Sequence, residues 1–200
     1  MNDDYKMQSH EFIDNEKFGN HAIMFYEKPE DGLAIQYRYL HSGLMKGQHV
    51  VYFTSETPEF MKDEMVRFGI DVDLFQKNDT LHIFQISHKA DSGVKDALEK
   101  LDEVMKIAQR YTKTYVRMTG RIVKDISANN GQRAELAVEQ KLHEIMQHFN
   151  GSFLCSYHIT KTNGDDEIEW MFNTIHAHSH VVYVPESGNG ACFDATFMMK

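Results

Sequence analysis

A three-layer α/β domain, with helices on both faces of a mainly parallel sheet, is the fold class this sequence predicts. Two observations carry it. Apolar runs of strand length alternate with longer segments of helical spacing. The segments between the runs are long enough for crossovers rather than hairpins, which means parallel pairing with helices packed on either face. Length and composition agree. The 200 residues, 42% hydrophobic and 26% charged, suit one domain able to bury a sizeable core.

HAIMFY (21–26) reads as the first strand, and a helix follows from about Asp31 to Lys46. HVVYFT (49–54) is β-branched and aromatic, a second strand. Thr57-Pro58 then opens a helix to about Phe68, with proline in the first turn and Gly69 at the end. TLHIFQI (80–86) is the third strand. Between Asp91 and about Tyr111, apolar residues at 94, 97, 98, 101, 104, 105 and 108 make a strongly amphipathic helix. KTYVRMT (113–119) is the fourth strand, and a helix over about 131–149 keeps 138, 142, 145, 146 and 149 on one stripe. SFLCSYHI (152–159), a helix near 166–178, VVYV (181–184) and a short strand in ACFDATF (191–197) complete the pattern. The polar, acidic residues 1–20 read as an N-terminal extension, and residues 21–200 as a single domain.

The formal net charge is −9, with 12 histidines. An acidic chain lacks the electrostatic footprint for direct binding of nucleic acid or of an anionic membrane surface. No apolar run approaches the roughly 18 residues of a membrane span, and the N-terminus does not read as a signal peptide. A cytoplasmic location is expected, with Cys155 and Cys192 as buried reduced thiols.

In an open parallel sheet, ligands settle outside the carboxyl ends of the strands. The turn after the first strand is where a phosphate loop would lie, and there the sequence reads YEKPEDGLA (26–34). GxxxxGK[ST] occurs nowhere in the chain. Lys28 precedes the proline, and Glu30 and Asp31 stand where phosphate would need backbone amides and a lysine. Such carboxylates satisfy the helix dipole and repel phosphate. The strand YVRMTGR (115–121) also lacks the magnesium-holding carboxylate, having Met118 and Thr119 in its place. ATP hydrolysis, and enzymatic activity built on it, is therefore not expected.

The segment YRYLHSGLMKGQHVVYFTSETPEFM (37–61) resembles the helix and second strand of KaiC- and RecA-type ATPases, with Gly43, Gly47, Tyr52, Thr54 and Glu56 in matching places. More narrowly, the chain resembles the MEDS family, the sensory domain shared by methanogen and methylotroph proteins. His21 and Tyr26 bound the first strand, and Gly43-Leu44 and Gly47 end its helix. Arg117, Met118, Thr119 and Gly120 give an Arg-x-x-Gly strand end, Cys155-Ser156-Tyr157 a Cys-x-Tyr strand, and His178 or His180 precedes the last core strand. The resemblance spans roughly residues 20–184. It implies a RecA-like fold with a degenerate phosphate loop, used for sensing. Many relatives carry a DNA-binding or histidine-kinase segment, and neither is expected within these 200 residues. Arg121 stands where the family often has an acidic residue.

The expectation is a non-enzymatic sensor, without cofactor, that binds a small organic ligand at the carboxyl edge and signals to a separate effector protein. Arg117, Tyr26, Glu56 and Tyr157 are the candidate ligand residues, a guanidinium being suited to bidentate capture of a carboxylate. The RecA-like lineage leaves homo-oligomers open. Two other readings stand beside this one. The first is a nucleotide-binding RecA-like protein with a non-standard phosphate loop. The second is a metal-dependent enzyme built on HAHSH, in which His176, His178 and His180 would be the imidazole ligands. No paired cysteine or carboxylate near that cluster completes a shell, so no metal is assigned.

Overall fold

Among the described residues, the alternating pattern produces eight strands in one sheet. The computed structural model describes residues 6–15, 21–86, 93–123, 126, 129–159, 165–185 and 190–195. In chain order the strands are β1 (Lys6–Gln8), β2 (His21–Tyr26), β3 (His49–Thr54), β4 (Leu81–Gln85), β5 (Val116–Gly120), β6 (Gly151–His158), β7 (His180–Val184) and β8 (Ala191–Asp194). The helices are α1 (Ser9–Asp14), α2 (Pro29–Met45), α3 (Pro58–Phe68), α4 (Val72–Lys77), α5 (Val94–Ala108), α6 (Asn129–Met146) and α7 (Asp165–His176).

Strand order across the sheet is β1-β8-β7-β2-β6-β5-β3-β4. The six strands from β7 to β4 pair in parallel, and β8 and β1 add an antiparallel margin. Because side chains alternate across a strand, each apolar run feeds two cores. Ile23, Phe25, Val51, Phe53, Met118 and Phe153 pack with Leu101 of α5 and Val138 and Leu142 of α6. Ala22, Met24, Val50, Tyr52, Leu154 and Val182 pack with Tyr39, Leu40 and Leu44 of α2 and Met61 and Met65 of α3.

Local chemistry fixes the helix ends. Thr57 Oγ1 accepts from the Phe60 amide at 3.3 Å to start α3, and Gly69 closes it at φ 99°. α2 ends in a Schellman turn, in which the amides of Gly47 (φ 69°) and Gln48 donate to the carbonyls of Leu44 and Gly43. The predicted stripe of α5 is the buried one, with Ala97, Leu101, Val104, Met105 and Ala108 facing the sheet.

The N-terminal segment differs from the expected extension. β1 pairs with β8, and α1 buries Phe12 and Ile13 in the core under α2. Three residues of strand and six of helix are too short for periodicity to reveal. α4 was also missed, for the same reason. It is one short helix that Asp71 caps by accepting from the Leu74 amide at 3.1 Å, and only Val72 is buried along it. Among the described residues, no helix is long and apolar enough to cross a membrane.

Candidate functional site

A cluster of polar side chains lies buried between α6 and the sheet. β2 opens with His21, whose parity along the strand sends it to the α6 face with Ile23 and Phe25. In the neighbouring β6, Cys155 and Tyr157 share that face, and the register places Ile23 opposite Cys155. His178 enters from the turn between α7 and β7. α6 contributes Glu135 and Glu139, one turn apart and so on one side of the helix. None of the six is more than 4% exposed.

Glu139 is the hub. Its Oε2 lies 3.1 Å from His21 Nε2, 3.2 Å from His178 Nε2 and 3.1 Å from Cys155 Sγ. Its Oε1 accepts from the Tyr157 hydroxyl, which is also 2.6 Å from Glu135 Oε1. The outer nitrogens of both imidazoles are tied to the backbone, His21 Nδ1 to Ala177 O at 2.9 Å and His178 Nδ1 to Thr174 O at 2.7 Å. A carbonyl only accepts, so each Nδ1 carries a hydrogen.

Burial and mutual charge set the protonation states. Burial raises the Glu135 carboxyl to about 8, with the facing Glu139 charge adding to it. Burial also works to raise Glu139, but His178 and His21 outweigh it and hold that carboxyl well below its ordinary range. Burial, with His178 beside it, drops His21 to about 4. Burial and Glu139 push the Cys155 thiol well up. The pair therefore holds one proton. A neutral Glu135 donates to the Tyr157 oxygen, and the Tyr157 hydroxyl donates to the Glu139 carboxylate.

The carboxyl edge has a different character. Tyr26, the last residue of β2, lays its ring over the first turn of α2, where a Cβ on Gly32 would come within 2.5 Å of it. Asp31 and Gly32 amides both turn back onto the Lys28 carbonyl at 3.1 Å. The Glu27 carboxylate accepts from the Tyr183 hydroxyl, and the Tyr26 ring stacks on His158 with centroids 5.5 Å apart. The phosphate-loop position is thus filled by the chain's own side chains. Next to it, Arg121 leaves β5 half-buried, donates to Ser156 O at 3.3 Å and holds its guanidinium 5.9 Å from the centre of the Tyr157 ring. Gly120 permits that exit. Its φ is 147°, and a Cβ there would sit 2.2 Å from the Phe53 carbonyl oxygen.

A family model described as the methanogen/methylotroph, DcmR sensory domain, MEDS, matches residues 20–174. The chain belongs to the MEDS family. No curated protein matches the sequence. Among solved structures, this MEDS domain is similar to a KaiC-like protein of the hyperthermophilic archaeon Pyrococcus horikoshii. The TM-score is 0.62 at 13% identity, over 84% of this chain and 72% of that one. At that identity the likeness establishes the fold, which is RecA-like as expected.

The residues on which the resemblance rests do not all lie together. His21, Cys155, Tyr157 and His178 meet in the buried cluster, which the sequence did not assign as a site. The four candidate ligand residues do not meet. Arg117 is the second residue of β5, far from the carboxyl end, and fully buried on the α2 face. There it donates to Gln48 Oε1 at 2.7 Å, Ile13 O at 2.9 Å and Tyr39 O at 3.1 Å, clamping α1 and α2 to the sheet. Tyr157 lies on the opposite face, with Glu135 and Glu139. Glu56 is exposed beyond β3, its amide bonded to Thr54 Oγ1 at 2.9 Å. Tyr26 does reach the carboxyl edge.

HAHSH does not converge either. His176 is exposed at the end of α7, and His180 is half-buried with its ring 4.8 Å from that of Phe12. His178 alone of the three enters the cluster. Glu135 and Glu139 escaped the sequence reading because acidic residues on a helix normally face water. The signal was their position seven residues before Leu142 and Met146, on the apolar stripe.

Proposed function

We propose that this MEDS domain is a non-enzymatic sensor that binds a small organic carboxylate at the carboxyl edge of its sheet, beside Arg121 and Tyr26, and reports the bound state to a separate effector protein. One observation carries the reading. The phosphate position is closed by Tyr26 over Gly32, while the Arg121 guanidinium stands at the same edge, 5.9 Å from the centre of the Tyr157 ring and near enough for its charge to act on the Tyr26 and Tyr52 hydroxyls. A half-buried cation beside tyrosine side chains suits a ligand with one anionic group and a small apolar body. Arg121 takes the role expected of Arg117. The family supports a sensory role, and the cation beside the tyrosines supports the ligand class.

Tyr157 gives the edge a route inward. Its ring lies under the Arg121 guanidinium and its hydroxyl bridges Glu135 and Glu139. Neutralising Arg121 with a bound carboxylate removes a positive charge that favours ionised Glu135. Binding at the surface is thereby felt in the core.

The test is a thermal-shift survey of short-chain organic acids and their uncharged analogues on the full chain and on Arg121→Gln. A ligand at a hundred times its dissociation constant stabilises by about 2.7 kcal/mol, which for a chain of this size raises the Tm by about 5–10 °C. A shift with an acid that is lost in Arg121→Gln is the expected result. A shift that survives the substitution, or none with any acid, refutes the assignment of this edge.

A further inference from the structure

We propose that His21 Nε2, His178 Nε2, Glu139 Oε2 and Cys155 Sγ form a closed, four-donor zinc site beneath α6. The four donor atoms all lie within 4.8 Å of one another. They come from β2, the α7–β7 turn, α6 and β6, so one ion would tie the start of the domain to residues more than 150 positions later.

The orientation of the imidazoles carries the argument. Each ring is fixed by Nδ1–H on a backbone carbonyl, Ala177 for His21 and Thr174 for His178. This is the outer-sphere arrangement that sets the tautomer of a metal-ligating histidine and turns its Nε2 lone pair inward. His178 Nε2 is 3.2 Å from Glu139 Oε2, but with the ring hydrogen held on Nδ1 a neutral His178 has none to donate there. Among the described residues that fully buried nitrogen has no hydrogen-bond partner. A buried ring nitrogen aimed at three other donor atoms is costly unless something fills the space between them.

Charge and donor type choose the ion. Two neutral imidazoles, one carboxylate and one thiolate balance a divalent cation, giving a neutral site suited to a water-free interior. The thiol proton leaves to solvent on binding. Nitrogen and sulfur donors disfavour magnesium and calcium, which take oxygen ligands, and tetrahedral mixed sets of this kind favour zinc. Bonds of zinc to nitrogen, oxygen and sulfur place neighbouring donors ~3.3–3.8 Å apart in a tetrahedron. Cys155 Sγ stands 3.4 Å from His21 Nε2, and the 3.1–3.2 Å contacts to Glu139 need open by only a few tenths of an ångström. Outside the four donors, Tyr157 holds the other Glu139 oxygen. With every position taken by protein, the ion would be structural rather than hydrolytic. This inference is independent of the ligand proposed at the carboxyl edge, and either can fail alone.

The experiment uses the full chain, expressed with added zinc and purified without chelator. Elemental analysis should find one zinc per chain. Cobalt added to the metal-free protein should give the visible bands of a tetrahedral site together with a near-ultraviolet thiolate-to-cobalt band. Cys155→Ser should lose the near-ultraviolet band, and His178→Ala should weaken cobalt binding at least tenfold, each with the wild-type far-ultraviolet circular dichroism. Wild-type protein that retains no zinc and gives no cobalt spectrum overturns the proposal, whatever the variants do. A thiolate band that persists in Cys155→Ser also overturns it.

Discussion

Replacing Glu135 by glutamine should abolish a loss of stability that the wild-type protein shows between about pH 6.5 and 8. In the fold this carboxyl is raised from 4.5 to about 8, first by burial and then by the facing Glu139 charge. Tyr157 and Arg121 face it too and work the other way. Between the two values the folded chain keeps a proton that the unfolded chain has released. The unfolded state then binds fewer protons, so stability falls as pH rises. Below pH 6.5, His21 opposes this, because its pKa is lowered to about 4 and its neutral form favours folding as pH rises. Above pH 6.5 the Glu135 effect stands unopposed by His21. Over the ~1.5 units from pH 6.5 to 8, at 1.36 kcal/mol per unit, the loss is about 2 kcal/mol. For a 200-residue chain that is a fall in Tm of about 4–8 °C. Thermal unfolding of chelator-treated wild type and Glu135→Gln across this range measures it. Glutamine resembles the neutral carboxyl, so the variant should keep the Tm that wild type has at pH 6.5. Parallel pH profiles for the two proteins would refute the assignment of the shared proton to Glu135.

Three further outcomes follow from the packing. Gly120→Ala forces a Cβ against the Phe53 carbonyl at a positive φ, costing about 2–5 kcal/mol from backbone strain and overpacking together; a denaturant midpoint equal to wild type would contradict it. Arg117→Lys keeps the charge but cannot reach Gln48 Oε1, Ile13 O and Tyr39 O at once, and should cost about 2–4 kcal/mol in urea unfolding. A neutral result there would mean the clamp on α1 and α2 is not made by the guanidinium fork. Cys155 and Cys192, both buried thiols, should resist a thiol reagent in the native protein and react together on unfolding; rapid labelling of the folded chain would contradict their burial.

The sheet was legible because its strands are apolar on both faces and its helices long. HAIMFY, HVVYFT and SFLCSYHI each read as strands, and the α5 stripe named its own buried residues. The margin formed by β1 with β8 was not legible as a pair, since three-residue strands carry no period and their partner lies at the other end of the chain. The site was legible in part. The family layout singled out His21, Cys155, Tyr157 and one of His178 and His180, but nothing local says that residues 21, 139, 155 and 178 meet. That fact belongs to strand order, in which β2 lies between β6 and β7. Arg117 misled because a strand-end arginine and a buried clamp look alike in sequence. Its neighbour Gly43 held the clue, since a Cβ there would come within 2.7 Å of the Arg117 side chain.

In the proposed function, Tyr26 closes the phosphate position of a RecA-like frame that serves sensing. Calorimetric titration of the full chain with Mg-ATP tests it most directly. No saturable binding is expected, because the Tyr26 ring covers Gly32 and Glu27, Glu30 and Asp31 stand around the turn. Saturable one-to-one binding that Tyr26→Trp abolishes would contradict it, and would make residues 25–34 a phosphate site of an unfamiliar kind.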